Sequence, residues 1–232
     1  VILYIKSYGY IIENESTSMA KVKICGVTNK EDAVLCASLG ADAIGNIIGI
    51  AQSPRNIAME KSKEIFSSLP VFTGSVAVLA NKGIDFILNA VKETAPAAVQ
   101  LHGSEDVEFV KLLRSKINAR IIKTIHVGDK EESIKKAKIF AVYCDALLLD
   151  TSTHKLGGSG VKHDWNISKE IVKTIKKPVI LAGGLTPENV KEAIKTVKPY
   201  AVDVSSGVEK EQGKKDAEKV RKFIESAKRL YQ

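Results

Sequence analysis

The chain has 232 residues, of which 44% are hydrophobic, and carries 35 Lys and Arg against 27 Asp and Glu for a formal net charge of +8. That suits one domain with a large core, or two small ones, and no apolar run is long enough to span a bilayer as a helix, so no membrane role is expected. The lysines spread over most predicted helices without a basic tract interleaved with aromatics, which argues against a nucleic-acid partner and suits anionic small molecules.

Residues 1–18 are rich in Ile and Tyr and differ in character from the rest of the chain. They lack a long apolar core followed by a small-residue cleavage site, so no signal peptide is read there. They are expected to be an N-terminal extension, either an appendage or a strand-like arm, ahead of a catalytic domain at 19–232. From there a short apolar run alternates with an amphipathic segment eight times. The runs at 22–27, 41–48, 74–79, 97–101, 120–125, 146–149, 179–182 and 201–204 read as buried strands. Helices are expected at 28–39, 59–68, 84–93, 105–115, 130–140 and 168–175, then from Thr186 onward, and finally at 216–230. Thr28 is the expected cap of the first, with Glu31 and Asp32 in its first turn. Thr186 is the expected cap of the seventh, with Pro187 and Glu188 suited to its first turn. Eight such alternations imply a parallel sheet covered by helices, and at this length a single closed (β/α)8 TIM barrel. No GxGxxG follows the first strand, which weakens a dinucleotide reading. In a barrel the active site gathers where the strands end.

Several polar residues stand at those ends. Cys25 lies at the end of a strand beside Gly26; a lone thiol there reads as core filler, but facing a carboxylic acid it could form a base–acid pair. Asp150 follows Ala-Leu-Leu-Leu, and a carboxylate is costly to bury unless paired or used. Arg55, in a Ser-Pro-Arg loop, is either a surface residue or a planar clamp for a carboxylate. His102 is equally a strand-end hydrogen-bonder or a site residue. Strand five ends at Lys123 or His126. Two glycine-bearing loops, Gly183-Gly184 and Ser205-Ser206-Gly207, end the last two strands, and backbone N–H groups there can cradle a phosphate. Cys36 and Cys144 read as structural. The three cysteines have no CxxC spacing or disulfide framework, so a cytoplasmic location is expected. His154 and His163 receive no role, and no cluster has zinc-ligand spacing.

The segments KVKICGVTNKEDA, GADAIG, SPRNI, VQLHG, LLLDT, GGSGVKHDW, LAGGLTPENV and AVDVSSGVE, in that order, resemble the phosphoribosylanthranilate isomerases of tryptophan biosynthesis. The resemblance runs from about Lys21 to Lys228. It implies an Amadori rearrangement of a phosphosugar substrate without metal or organic cofactor, in a monomer or homodimer. Carried over by motif, Asp150 is the general acid and Cys25 the general base. Arg55 contacts the anthranilate moiety, Asp203 lies at the substrate, and Gly183, Gly184, Ser206 and Gly207 hold the phosphate; His102, from its strand-end position, is counted with the substrate-binding residues. Gly157–Gly160 resembles a loop that closes over the substrate. Asp150 is expected to have a raised pKa and Cys25 to need little tuning. The segment from Gly45 to Arg55 departs from the family pattern: its aromatics and a loop proline are missing. The other readings are a different phosphosugar barrel, a phosphate-binding module without turnover, or a basic nucleic-acid binder.

Overall fold

The computed structural model describes residues 20–151 and 163–228. Eight strands form its centre: β1 (Lys21–Cys25), β2 (Ala43–Ile48), β3 (Gly74–Leu79), β4 (Ala98–Leu101), β5 (Arg120–Val127), β6 (Ala146–Thr151), β7 (Val179–Leu181) and β8 (Ala201–Val204). Each pairs in parallel with the next, and β1 also pairs with β8, so the sheet closes on itself. Helices α1 (Lys30–Ser38), α2 (Met59–Ser67), α3 (Ile84–Thr94), α4 (Val107–Arg114), α5 (Lys130–Ala141), α6 (Trp165–Thr174), α7 (Val190–Val197) and α8 (Ala217–Lys228) alternate with the strands. This is the expected (β/α)8 barrel. Two additions were not expected. The two-residue strand Asn56–Ile57 extends the sheet beside β2, and an antiparallel hairpin pairs Glu209–Glu211 with Lys214–Lys215 between β8 and α8. Among the described residues no helix is long and apolar enough to cross a membrane. The N-terminal extension lies outside the described residues.

The period-two alternation of the strands sorts their apolar residues into two cores. Val22, Ile24, Leu79, Val99, Ile121, Leu147 and Val202 face the helices in the larger one. Val76, Val78, Ala98, Ile122, Leu148 and Ile180 fill the barrel interior. Toward the strand C-termini the interior positions turn polar, to Lys23, Gln100, Thr124 and Asp203, all buried.

Several helix starts differ from expectation. Asn29, not Thr28, caps α1: its Oδ1 accepts from the Asp32 N–H at 2.7 Å, while Thr28 Oγ1 donates to Gly213 O. Helix α4 starts at Val107 behind an Asp106 cap, because Glu105 has other partners. Its Oε1 accepts from the Asn81 N–H at 2.8 Å, and its Oε2 pairs with Lys123 Nζ at 2.9 Å. Lys123 also donates to Gly103 O at 2.6 Å and so points into the helix layer, not the barrel. Helix α7 is also shorter at its start: Thr186 lies in a turn whose N–H donates to Asn189 Oδ1 at 2.9 Å.

Both side chains of the Glu105–Lys123 pair are only 3% exposed. Removing one partner of such a pair strands the other, at a cost of about 3–5 kcal/mol. Glu105→Ala should lower the unfolding free energy by that amount, read as a lower urea midpoint at unchanged m-value, and Glu105→Leu with Lys123→Met should recover most of it. An equal loss in single and double variants would show that the pair is not what matters there.

Candidate active site

Lys23 and Cys25 lie two residues apart on β1 and so share its inward face. The barrel register sets Lys23 opposite Asp203 of β8, and Lys23 Nζ donates to Asp203 Oδ1 at 3.0 Å. Cys25 is next to the same ammonium: a Cβ placed on Gly45 of β2 would lie 3.0 Å from Lys23 Nζ and 3.1 Å from Cys25 Sγ. Burial alone would lower the Lys23 pKa, but Asp203, and after it Cys25, hold it above its ordinary value. Burial pushes the Cys25 thiol upward, Lys23 opposes this and Asp203 reinforces it. The thiol is therefore not the lightly tuned base expected from sequence, because the interior position that aims it also desolvates it.

Asp150 enters from β6. Burial raises its carboxyl pKa to about 6, the Thr151 N–H donating at 2.8 Å works against this, Asp203 adds to the rise and Lys23 opposes it. Gly183 is needed beside it. Its φ is +86°, and a Cβ there would lie 2.9 Å from Asp150 Oδ1 as well as striking Thr151. His102 lines the same wall. Gln100 Nε2 donates to His102 Nδ1 at 3.0 Å, which leaves the ring proton on Nε2, 3.5 Å from Asp150 Oδ2. Burial, then the nearby charges of His126, Lys23 and Lys123, lower the His102 pKa to about 3, so the ring is neutral. His102 is thus both the hydrogen-bonder and the pocket residue. His126 donates through Nε2 to His102 O.

Cys25, Arg55, His102, Asp150 and Asp203 line one pocket together with Gly183, Gly184, Ser206 and Gly207. Its empty space, open mouth included, is about 840 Å³. Asn189 shapes the first glycine loop by donating to Gly184 O at 2.9 Å while accepting from the Thr186 N–H. Ile47, Ile50 and Val78 give the pocket an aliphatic wall beside Arg55. Gln100 Oε1 and Ser205 Oγ are buried on the pocket wall without a partner among the described residues. Buried polar atoms are normally satisfied, so both suit a ligand rich in hydroxyl groups.

Arg55 reaches this pocket in a way the sequence did not suggest. Its Nε donates to Glu209 Oε1 at 2.7 Å and its Nη2 to Glu209 Oε2 at 2.6 Å. Sequence reasoning also missed Lys23 and Gln100, although each stands two residues before a residue it did single out. Cys36 and Cys144 are buried, with thiols pushed up to about 12 and about 11 by burial, in keeping with a structural role. His163 sits between Thr151 Oγ1 at 3.3 Å and Ser168 Oγ at 2.5 Å. His154 and Gly157–Gly160 lie outside the described residues. Among the described residues no group of His, Cys, Asp or Glu is arranged to hold a metal ion.

A family model described as N-(5'-phosphoribosyl)anthranilate (PRA) isomerase matches residues 22–226. The chain belongs to this family. A phosphoribosylanthranilate isomerase from Methanocella arvoryzae is 49% identical over 211 residues, covering 90% of this chain and 99% of the relative. The crystal structure of phosphoribosylanthranilate isomerase from Thermotoga maritima superposes with a TM-score of 0.83 at 39% identity, over 91% of this chain and all of the other. A phosphoribosylanthranilate isomerase in complex with reduced 1-(o-carboxyphenylamino)-1-deoxyribulose 5-phosphate superposes with a TM-score of 0.80 at 37% identity, with the same coverage. Membership makes the chain an enzyme, an isomerase of tryptophan biosynthesis on a TIM barrel.

The position of Asp150 in this isomerase has a stability consequence of definite sign. Its folded pKa of about 6 lies above the ordinary carboxyl value. Its contribution is therefore complete below the unfolded pKa and is lost as pH rises through about 6. At pH 8 the buried carboxylate costs on the order of 3 kcal/mol relative to a neutral isostere. Asp150→Asn should raise the unfolding free energy at pH 8 by that order and by about half as much at pH 5. A gain that does not change with pH would show that Asp150 titrates normally.

Proposed function

We propose that the isomerase converts N-(5-phosphoribosyl)anthranilate to 1-(2-carboxyphenylamino)-1-deoxyribulose 5-phosphate, with Asp150 as general acid and Cys25 as general base. The observation that supports this most is the convergence of Cys25, Asp150 and both glycine-bearing loops on one pocket. The protonated Asp150 gives its proton to the furanose ring oxygen, and the C1–O bond breaks as the amine nitrogen lone pair forms a C1 iminium. The Cys25 thiolate then removes the C2 proton, and the C2–H electrons neutralise the iminium to an enolamine. Protonation at C1 and loss of the enol proton yield the ketose. His102, with Nε2–H toward Asp150, orients the acid, and Lys23 favours the thiolate. The phosphate rests on Gly183, Gly184, Ser206 and Gly207, and Asp203 acts by holding Lys23.

This scheme needs one proton shared between the two groups, placed on Asp150. Both protonated is inactive for want of a thiolate, and both deprotonated is inactive for want of an acid. Because the carboxyl titrates near 6 and the thiol above its usual range, kcat/KM should rise through about pH 6 and fall only as the thiol titrates. An acid limb near pH 4 would contradict the placement of Asp150.

The direct test monitors the fluorescence of freshly made phosphoribosylanthranilate with the parent, Cys25→Ala and Asp150→Asn. The parent should turn over, and each variant should lose about 10²–10⁴-fold in kcat, with affinity for the reduced product largely kept. Near-normal turnover in either variant removes that residue from its role. No turnover by the parent would overturn the assigned reaction.

A further inference from the structure

The hairpin after β8 is tied to the site by buried charge. Lys215 has a side chain that is 0% exposed, and its Nζ donates to Glu209 Oε1 at 3.0 Å, to Cys25 O at 2.7 Å and to Ser205 O at 3.2 Å. One ammonium thus holds the hairpin to the backbone of the β1 end and of the loop after β8. The Lys215 N–H donates to Asp32 Oδ2, and Thr28 donates to Gly213 O, so the start of α1 grips the hairpin as well. Glu209 in turn holds Arg55 through the Nε and Nη2 edge. Among the described residues Arg55 Nη1 has no hydrogen-bond partner. The stem of Arg55 lies over Gly26, whose φ is +68° and where a Cβ would come within 2.5 Å of Arg55 Cδ.

A guanidinium is planar and rigid, so fixing one edge fixes the direction of the other. The Nη1–Nη2 end of Arg55 remains for a second fork toward the pocket. Charge counts too. Arg55 with Glu209 is neutral to an approaching anion, and Lys215 restores a net charge of +1 to the cluster. We propose that Glu209 and Lys215 are positioning residues that make this site selective for a carboxylate on the ligand. Glu209 aims the free edge of Arg55 at the aromatic carboxylate, and Lys215 keeps the cluster attractive to it. This rests on the substrate assigned under the proposed function.

The test uses two ligands, the reduced product bearing the 2-carboxyphenyl group and its phenyl counterpart lacking the carboxylate. Both are titrated into the parent, Glu209→Gln and Lys215→Met. The parent should prefer the carboxylate ligand by about 10–100-fold, the size of a charge-assisted contact. In each variant that preference should fall at least about fivefold, while affinity for the phenyl ligand stays within about threefold. A preference that persists in both variants overturns the proposal. So does an equal weakening of both ligands, which is what a merely structural hairpin predicts. If the parent turns over substrate but binds both ligands alike, Arg55 does not read the carboxylate and the proposal falls while the reaction stands. A parent that binds neither ligand overturns the substrate assignment and this proposal with it. Should the two variants fail to fold, Arg55→Lys decides the matter, because it keeps the charge and loses the fork. An undiminished preference there overturns the proposal.

Discussion

The Lys23–Asp203 ion pair sits where the first strand meets the last, with both side chains almost fully buried. Buried pairs of this kind seldom add much stability, because desolvation offsets most of the attraction. This one has a second consequence. Its ammonium opposes the effect of burial on the Cys25 thiol, and its carboxylate adds to the effect of burial on Asp150. One contact across the closing seam therefore favours an anion on one side of the pocket and a neutral acid on the other. Separating the two partners would undo both at once.

The barrel was legible because its strands are continuous apolar runs of the length a doubly covered sheet needs. Asp150 stood out as a carboxylate after Ala-Leu-Leu-Leu, and the glycine loops after β7 and β8 stood out as pairs of small residues. Cap identity was harder to read. Thr28 and Asn29 are both good caps, and the choice between them is made by Gly213, far along the chain. The same limit hid the start of α4, where Glu105 pairs with a lysine one strand on. Arg55 was seen, yet its partner Glu209 is 154 residues away, and no local pattern connects them.

The second loop shows how a departure from a family pattern can be absorbed. Without its aromatics the segment still closes on itself: the Ile50 N–H donates to Asn56 Oδ1 at 2.8 Å, and the Ser53 N–H to Ile50 O at 2.9 Å. Asn46 takes a buried place in β2, donating to Val27 O and accepting from Ser62. The segment thus keeps its polar groups satisfied while Ile47 and Ile50 supply the apolar wall. Arg55 itself is held from the hairpin, by Glu209.

The hairpin contacts also bear on when the site can exist. Lys215 reaches Cys25 across 190 residues and Ser205 across 10, and α8 comes immediately after it. Chains emerge from the ribosome N-terminus first, and contacts of long sequence separation form late because loop closure must precede them. The half-barrel that carries Cys25 can begin to pack early during synthesis, but its pocket stays open-sided until β8 and the hairpin are released. A nascent chain of this protein would stay catalytically silent until the segment through Lys215 has been made.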